Sequence, residues 1–322
     1  AVFAVHGASE GEYREDIERC LEIRPHIVID DGGDLVNMLH TKRRDLAADV
    51  WGGCEETTTG VIRLRAMERD GSLNFPMLAV NNARCKHLFD NRYGTGQSVL
   101  DSIMRNTNLI IASKTAVIAG YGWCGRGIAM RAAALGASVI VTEIDPVKAM
   151  EAKMDGYEVM TMAEAAPRGD IFITATGTEK VITPEHMAKM KDGALLGNAG
   201  HFNVEIDMKA LEALAVSKRE ARENVAAYEL PEGKTVHVIA EGRLLNIAAA
   251  DGHPAEIMDL SFAVQFLSAL YVVKRKGELP AAVIDVSGDI DDTVARMRLK
   301  AWDISIDTLT PEQQTYLNSW NL

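Results

Sequence analysis

The chain has 322 residues, 47% of them hydrophobic, and a formal net charge of −12. That length suggests two domains with ample core, and the acidic balance with no basic, aromatic-bearing face argues against a nucleic-acid partner. No apolar run reads as approaching the roughly 20 residues that span a bilayer, so no membrane role is expected.

The first 80 residues alternate strand and helix. Strands are expected at 2–5, 26–29, 50–54 and 77–80, and helices at 13–23, from Asp34 to His40, and at 57–69. This alternation implies a parallel sheet covered by helices on both faces. A buried strand at residues 2–5 would leave the first domain short of its opening units, so a missing N-terminal segment is expected. Three polar stretches fall at strand ends, where open α/β sheets place ligand groups. They are Asp30-Asp31-Gly32-Gly33-Asp34, Glu55-Glu56-Thr57-Thr58-Thr59, and the run from Asn81 through Lys86 to Asp90-Asn91. Each has a plainer reading when taken alone: an Asx turn, a Thr-capped helix start, a solvated loop. Three of them ahead of a nucleotide-binding pattern favour a site.

That pattern runs from Ala116 to Pro146. An apolar strand leads to Gly120-Tyr121-Gly122-Trp123-Cys124-Gly125-Arg126-Gly127, then an Ala-rich helix and a second strand ending at Glu143-Ile-Asp145-Pro146. Gly120 permits the turn, Gly122 lets the backbone approach a pyrophosphate, and Gly125 lets the helix pack closely. The helix start offers free N–H groups to phosphate. Glu143, about twenty positions on, suits a ribose 2′-hydroxyl and repels a 2′-phosphate, so NAD is expected rather than NADP. Later strands are expected at 170–174, 194–196 and 236–239, with helices at 97–105, 148–153 and 206–216. A long helix, 256–274, carries Met258, Phe262, Gln265 and Phe266 at one-face spacing, which reads as core. Terminal helices are expected at 289–302 and 311–320. Of eight histidines, only His201 and His253 stand at sheet-end loops. Cys20, Cys54, Cys85 and Cys124 are scattered, which fits a reduced, cytoplasmic protein, and no spacing suits a metal site.

Eight motifs in order, Asp-Asp-Gly-Gly-Asp, Glu-Glu-Thr-Thr-Thr-Gly, Phe-Asp-Asn-x-Tyr-Gly, Ala-Gly-Tyr-Gly, Thr-Glu-Ile-Asp-Pro, Gly-His-Phe, Ala-Glu-Gly-Arg-Leu and Gly-His-Pro, resemble the S-adenosylhomocysteine hydrolase family. The likeness runs from about residue 2 to the C-terminus. It implies an α/β fold in which a Rossmann NAD-binding domain (93–250) is inserted in a substrate-binding domain (1–92, resumed at 251–285), followed by oligomerisation helices (286–322). It implies a homotetramer, NAD as cofactor, and reversible hydrolysis of S-adenosyl-L-homocysteine to adenosine and homocysteine. That chemistry proceeds by oxidation at C3′, elimination, water addition and reduction. The resemblance makes Lys86 the base for the 3′-hydroxyl, with its pKa depressed, and Glu56 and Asp90 the grips on the ribose diol. It makes Asp31 the acid–base group of the elimination, with His201 beside it and His253 on the homocysteine side. Thr57, Thr58, Thr59, Asn91, Thr176, Ala199, Gly200, His201 and Asn246 would join the glycine-rich turn in holding NAD.

Three departures from the family stand out: Thr95 replaces a common Cys, Lys148 a common Asn, and the Lys- and Tyr-bearing tail is absent. A deaminated substrate, S-inosylhomocysteine, and a non-catalytic NAD-binding homologue are the alternatives. A 2-hydroxy-acid dehydrogenase would employ Arg243 and His253 but leaves Lys86 unexplained.

Overall fold

The computed structural model describes residues 1–5 and 7–320. Its strands, in chain order, are β1 (Ile27–Asp30), β2 (Gly52–Glu55), β3 (Met77–Ala79), β4 (Thr115–Ala119), β5 (Ser138–Thr142), β6 (Glu158–Val159), β7 (Ile171–Thr174), β8 (Ala194–Asn198), β9 (Ser217–Arg222), β10 (Val225–Glu229), β11 (Thr235–Ile239) and β12 (Val283–Asp285). They form two sheets. The smaller is parallel, in the order β1-β2-β3-β12. The larger runs β6-β5-β4-β7-β8-β11-β10-β9. Every strand of the larger sheet therefore lies, in sequence, between the third and fourth strands of the smaller one.

The central strands of the larger sheet are short apolar runs buried on both faces, as a parallel sheet under two helical layers requires. Val117, Ile118, Ile140 and Phe172 are fully buried there. The helix Trp123–Ala134 crosses from β4 to β5 and packs backbone to backbone on the chain that enters this domain. A Cβ on Gly127 would stand 1.8 Å from the Arg92 carbonyl oxygen, and one on Gly96 would stand 2.5 Å from the Gly127 oxygen. Arg92 belongs to a π-helix, His87–Gly94, that runs straight into the helix Thr95–Thr107.

Four expectations are corrected. Residues 2–5 form no strand, and Val2 and Val5 are exposed, because no neighbouring strand pairs with them. The helix expected over 206–216 spans only Met208–Leu214 and is followed by an antiparallel hairpin, β9 with β10, which continues antiparallel to β11. Phe262 and Phe266 face outward, while Leu260, Val264 and Val272 of the same helix, Ala255–Lys274, face the core. That helix is also long and apolar enough to cross a membrane by length and composition, with mean hydropathy 1.5 over its best window. Its inner face lies on β1 and β2, and Ser261 and Gln265 there reach polar partners of the small sheet's loops.

Candidate active site

The π-helix and the short helical turn before it, Arg84–Lys86, bring Lys86, Asp90 and Asn91 to one point. Lys86 is 5% exposed. Its Nζ lies 3.2 Å from Glu56 Oε1 and 3.6 Å from Asp90 Oδ1, and it donates to Asn91 Oδ1 at 2.7 Å. Asn91 donates in turn to Asn81, and Asn81 to Thr58 Oγ1, both at 3.0 Å. The long helix supplies the remaining partners: Ser261 donates to Asp90 at 2.6 Å and Gln265 to Glu56. Burial would lower the Lys86 pKa, but Asp90 and Glu56 outweigh it and hold it above the ordinary lysine value. The expectation of a depressed value is thus not met with these neighbours alone: two carboxylates facing one ammonium favour the charged form. Burial raises Glu56 against the pull of Lys86.

His253 belongs to this cluster too. Its Nε2 is 3.1 Å from Thr95 Oγ1 and 3.5 Å from Asp90 Oδ1. Burial lowers its pKa, which keeps the ring neutral at pH 7. The turn after β1 approaches from the other side. Gly32 has φ +110, and a Cβ there would be 2.4 Å from His201 Nε2, so only glycine lets the imidazole rest on this turn. His201 Nδ1 is then 3.7 Å from Asp31 Oδ1. Arg63 stacks over Phe202 at 4.4 Å, and Thr59 Oγ1 lies 3.7 Å from the Cβ position of Gly177. Loops of the two sheets therefore face each other at close range. On the larger sheet's side, His201, Phe202, Asn203, Arg243, Leu244 and Ile247 line a cleft of about 350 Å³.

The nucleotide cradle follows the β4 turn. Gly120 has φ +94, and a Cβ on Gly125 would be 1.9 Å from the Gly120 oxygen. Gly122 faces open space and caps the following helix with no side-chain hydrogen bond, leaving its first N–H groups for an anion. Glu143 accepts from the Tyr121 and Ile144 amides at 2.7 Å and from Asp145 at 3.1 Å, which holds its carboxylate beside the glycine turn. Asn246 donates to Ser98, and its buried Oδ1 has no partner among the described residues, a site for an amide N–H. These features fit NAD. Not every residue of the pattern points to the ligand: Arg126 is turned to Glu151 and the Tyr121 carbonyl, and Gly127 serves packing. Cys124 Sγ accepts from Thr95 Oγ1 at 3.7 Å, with its pKa raised by burial. Lys148 pairs with Asp145 at 3.7 Å, on the helix that Asp145 caps.

Residues 91–252 match the model of the S-adenosyl-L-homocysteine hydrolase NAD-binding domain. The adenosylhomocysteinase of Pyrococcus abyssi is 56% identical over 99% of this chain and 76% of its own length. The chain belongs to the S-adenosyl-L-homocysteine hydrolase family. The adenosylhomocysteinase of Aquifex aeolicus is 55% identical over 100% of the chain and 77% of its own length. The S-inosyl-L-homocysteine hydrolase of Methanosarcina mazei is 55% identical over 99% and 77%.

Within this family member several organising residues escape a motif reading. Asn198 is fully buried, donates to the Gly200, Phe202 and Gly242 carbonyls, and accepts from the Gly200 amide. It thereby shapes the loop that presents His201. Glu205 accepts from the Thr176 and Gly177 amides and from Thr176 Oγ1. Asp291 accepts the Arg84 and Cys85 amides at 2.8 and 2.7 Å and so caps the turn that carries Lys86. Only Asn198, inside Gly-Asn-Ala-Gly-His, sits close enough to a motif for sequence to have raised it.

Proposed function

We propose that the chain hydrolyses S-adenosyl-L-homocysteine to adenosine and L-homocysteine, reversibly, with NAD retained through turnover. The observation that carries this reading is a buried lysine between two carboxylates at the mouth of an NAD cradle. When bound, NAD supplies the hydride acceptor for C3′ and later the donor. Glu56 and Asp90 hold the ribose diol and aim Lys86, which takes the 3′-hydroxyl proton. For that Lys86 must lose its own proton, and positive charge at the nicotinamide together with the dry cleft opposes the pull of the carboxylates. Asp31, with His201 beside it, handles the C4′ proton and the leaving thiol. Thr57, Thr58, Thr59 and Asn91 border the nicotinamide end, with Asn246 offering its free oxygen. His253 lines the homocysteine side and, lying against Asp90 and Thr95, also steadies that carboxylate.

The test is thiol release. Enzyme with NAD and S-adenosyl-L-homocysteine should liberate homocysteine, read with a thiol reagent, with no net NADH. Accumulating NADH in step with product would mark a dehydrogenase instead. The inosyl thioether is the second reading, supported by the 55% identity to the Methanosarcina mazei enzyme, against 56% and 55% for the two adenosylhomocysteinases. Comparing kcat/KM for the two thioethers separates them.

We also take the units to be 1–92, 93–250, 251–285 and 286–322, closing on each other about 89–96 and 248–253. Scattering that shows no compaction with a substrate analogue and NAD would refute that closure. A homotetramer in the cytoplasm is our reading of the exposed Phe262, Phe266, Met297 and Trp302 and of four free cysteines. Sedimentation as a monomer at micromolar concentration would overturn the assembly.

A further inference from the structure

We infer that Glu55 is a positioning residue that locks the loop carrying Asp31 to the loop carrying Glu56, and through Gly32 fixes the seat of His201. This rests on the roles proposed above for those three residues. Glu55 ends β2 and is fully buried. Its Oε1 accepts the Gly32 amide at 2.9 Å and the Thr57 amide at 3.0 Å. One oxygen thus joins the turn after β1 to the turn after β2. The parallel ladder ends at the pair Asp30–Glu55, and beyond it Glu56 N donates to the Asp30 carbonyl at 3.0 Å. The same Gly32 supports the His201 ring.

Space for this carboxyl is made by one residue. A Cβ on Gly60 would lie 2.1 Å from Glu55 Cδ and 2.4 Å from Oε2, so the first turn of the helix Thr58–Arg69 admits the group only because position 60 is glycine. Burial pushes the Glu55 pKa up to about 8, with Asp30 and Asp31 adding to the rise. The carboxyl is therefore neutral at pH 7 and sets no extra charge beside Asp31. Oε1 accepts both N–H bonds, and Oε2 has no partner among the described residues. Glu55 reaches substrate through none of its atoms: it acts through the amides it holds. The adjacent acids divide the labour, Glu56 toward Lys86 and Glu55 beneath the loops.

The test compares Glu55→Gln, Glu55→Ala and Gly60→Ala in the whole enzyme loaded with NAD. Glutamine keeps an acceptor oxygen for both amides, alanine keeps none, and the Gly60 methyl displaces the carboxyl. Glu55→Ala and Gly60→Ala should lose roughly a hundredfold in kcat, the effect of a misplacement of about 1 Å, with KM changed far less. Glu55→Gln should stay within about tenfold of the unmodified kcat, one hydrogen-bond's worth of rate. Amide hydrogen exchange at Gly32 and Thr57 should accelerate in Glu55→Ala and Gly60→Ala and not in Glu55→Gln. If Glu55→Ala does not fold, Gly60→Ala and Glu55→Gln decide the matter by the same two readouts. Full activity in Glu55→Ala, or a Glu55→Gln as impaired as Glu55→Ala, overturns the proposal. Should the unmodified enzyme release no thiol from either thioether, the functional reading fails, while the exchange rates still decide whether Glu55 locks the loops.

Discussion

Two strand-end turns of this molecule, one after β4 and one after β2, solve the problem of holding a ligand in different ways. After β4 the backbone does the work: three glycines shape a turn, and a helix start is left without a side-chain cap. A single carboxylate, Glu143, is tied to amides nearby in sequence. After β2 side chains do the work, and they gather from stretches far apart in the chain. Lys86 meets both Glu56 and Asp90, and Glu56 also meets Gln265, 209 residues away. A site of amides tolerates changes in its side chains and fails when a Cβ is added. A site of buried charges has the opposite sensitivity, because removing one partner leaves another unpaired.

Substitutions can break that contrast. The largest effect is expected from Lys86→Met. NADH absorbance formed on adding adenosine should slow by about a hundredfold or more, the usual range for a lost general base. Affinity for NAD and nucleoside should stay within about tenfold, or 1.4 kcal/mol, in titrations. Reduction at the original rate would make Lys86 a structural ion-pair residue. Gly127→Ala should act on stability and not on chemistry. The methyl meets the Arg92 carbonyl, and overpacking of this kind costs about 1–3 kcal/mol, visible as a lower urea midpoint at unchanged slope. Glu143→Ala should weaken NAD by about tenfold and narrow the preference over NADP. Equal affinity of the unmodified protein for both cofactors would remove the basis for that assignment.

A further effect concerns pH. Burial pushes the Glu55 pKa up to about 8 in the fold, above the ordinary glutamate value, so folding takes up a proton between the two. Stability should therefore fall as pH rises through that window, by up to about 1.4 kcal/mol per unit. Glu55→Gln should remove this slope. Melting curves from pH 5 to 8 that keep the same trend in both proteins would assign the slope to other groups.

The same contrast explains what sequence could reveal. The β4 turn, its helix and Glu143 lie within about thirty residues, in a spacing that geometry demands. The polar stretches around Asp31, Glu56 and Lys86 were visible as stretches, but their meeting point depends on packing across two sheets. The π-helix His87–Gly94 left no trace, since its wider hydrogen-bond spacing has no distinct residue preference. The hairpin β9–β10 escaped because Ser217–Arg222 is an exposed, charged edge strand without apolar alternation. Phe262 and Phe266 were misplaced for a related reason: periodicity marks an apolar face but does not say whether the core lies behind it. Glu55 and Glu56 look alike as letters, and only the fold separates the neutral one beneath the loops from the one facing Lys86.

The helix Ala255–Lys274 carries a consequence of its own. Phe262 follows Ser261 directly and Phe266 follows Gln265, so each exposed ring sits about 100° around the axis from a side chain that grips a carboxylate of the Lys86 cluster. The helix cannot roll to bury its rings without pulling Ser261 off Asp90 and Gln265 off Glu56. Its greasy stripe is pinned outward by the polar cluster, and whatever surface comes to cover that stripe will be gripping the back of the Lys86 cluster.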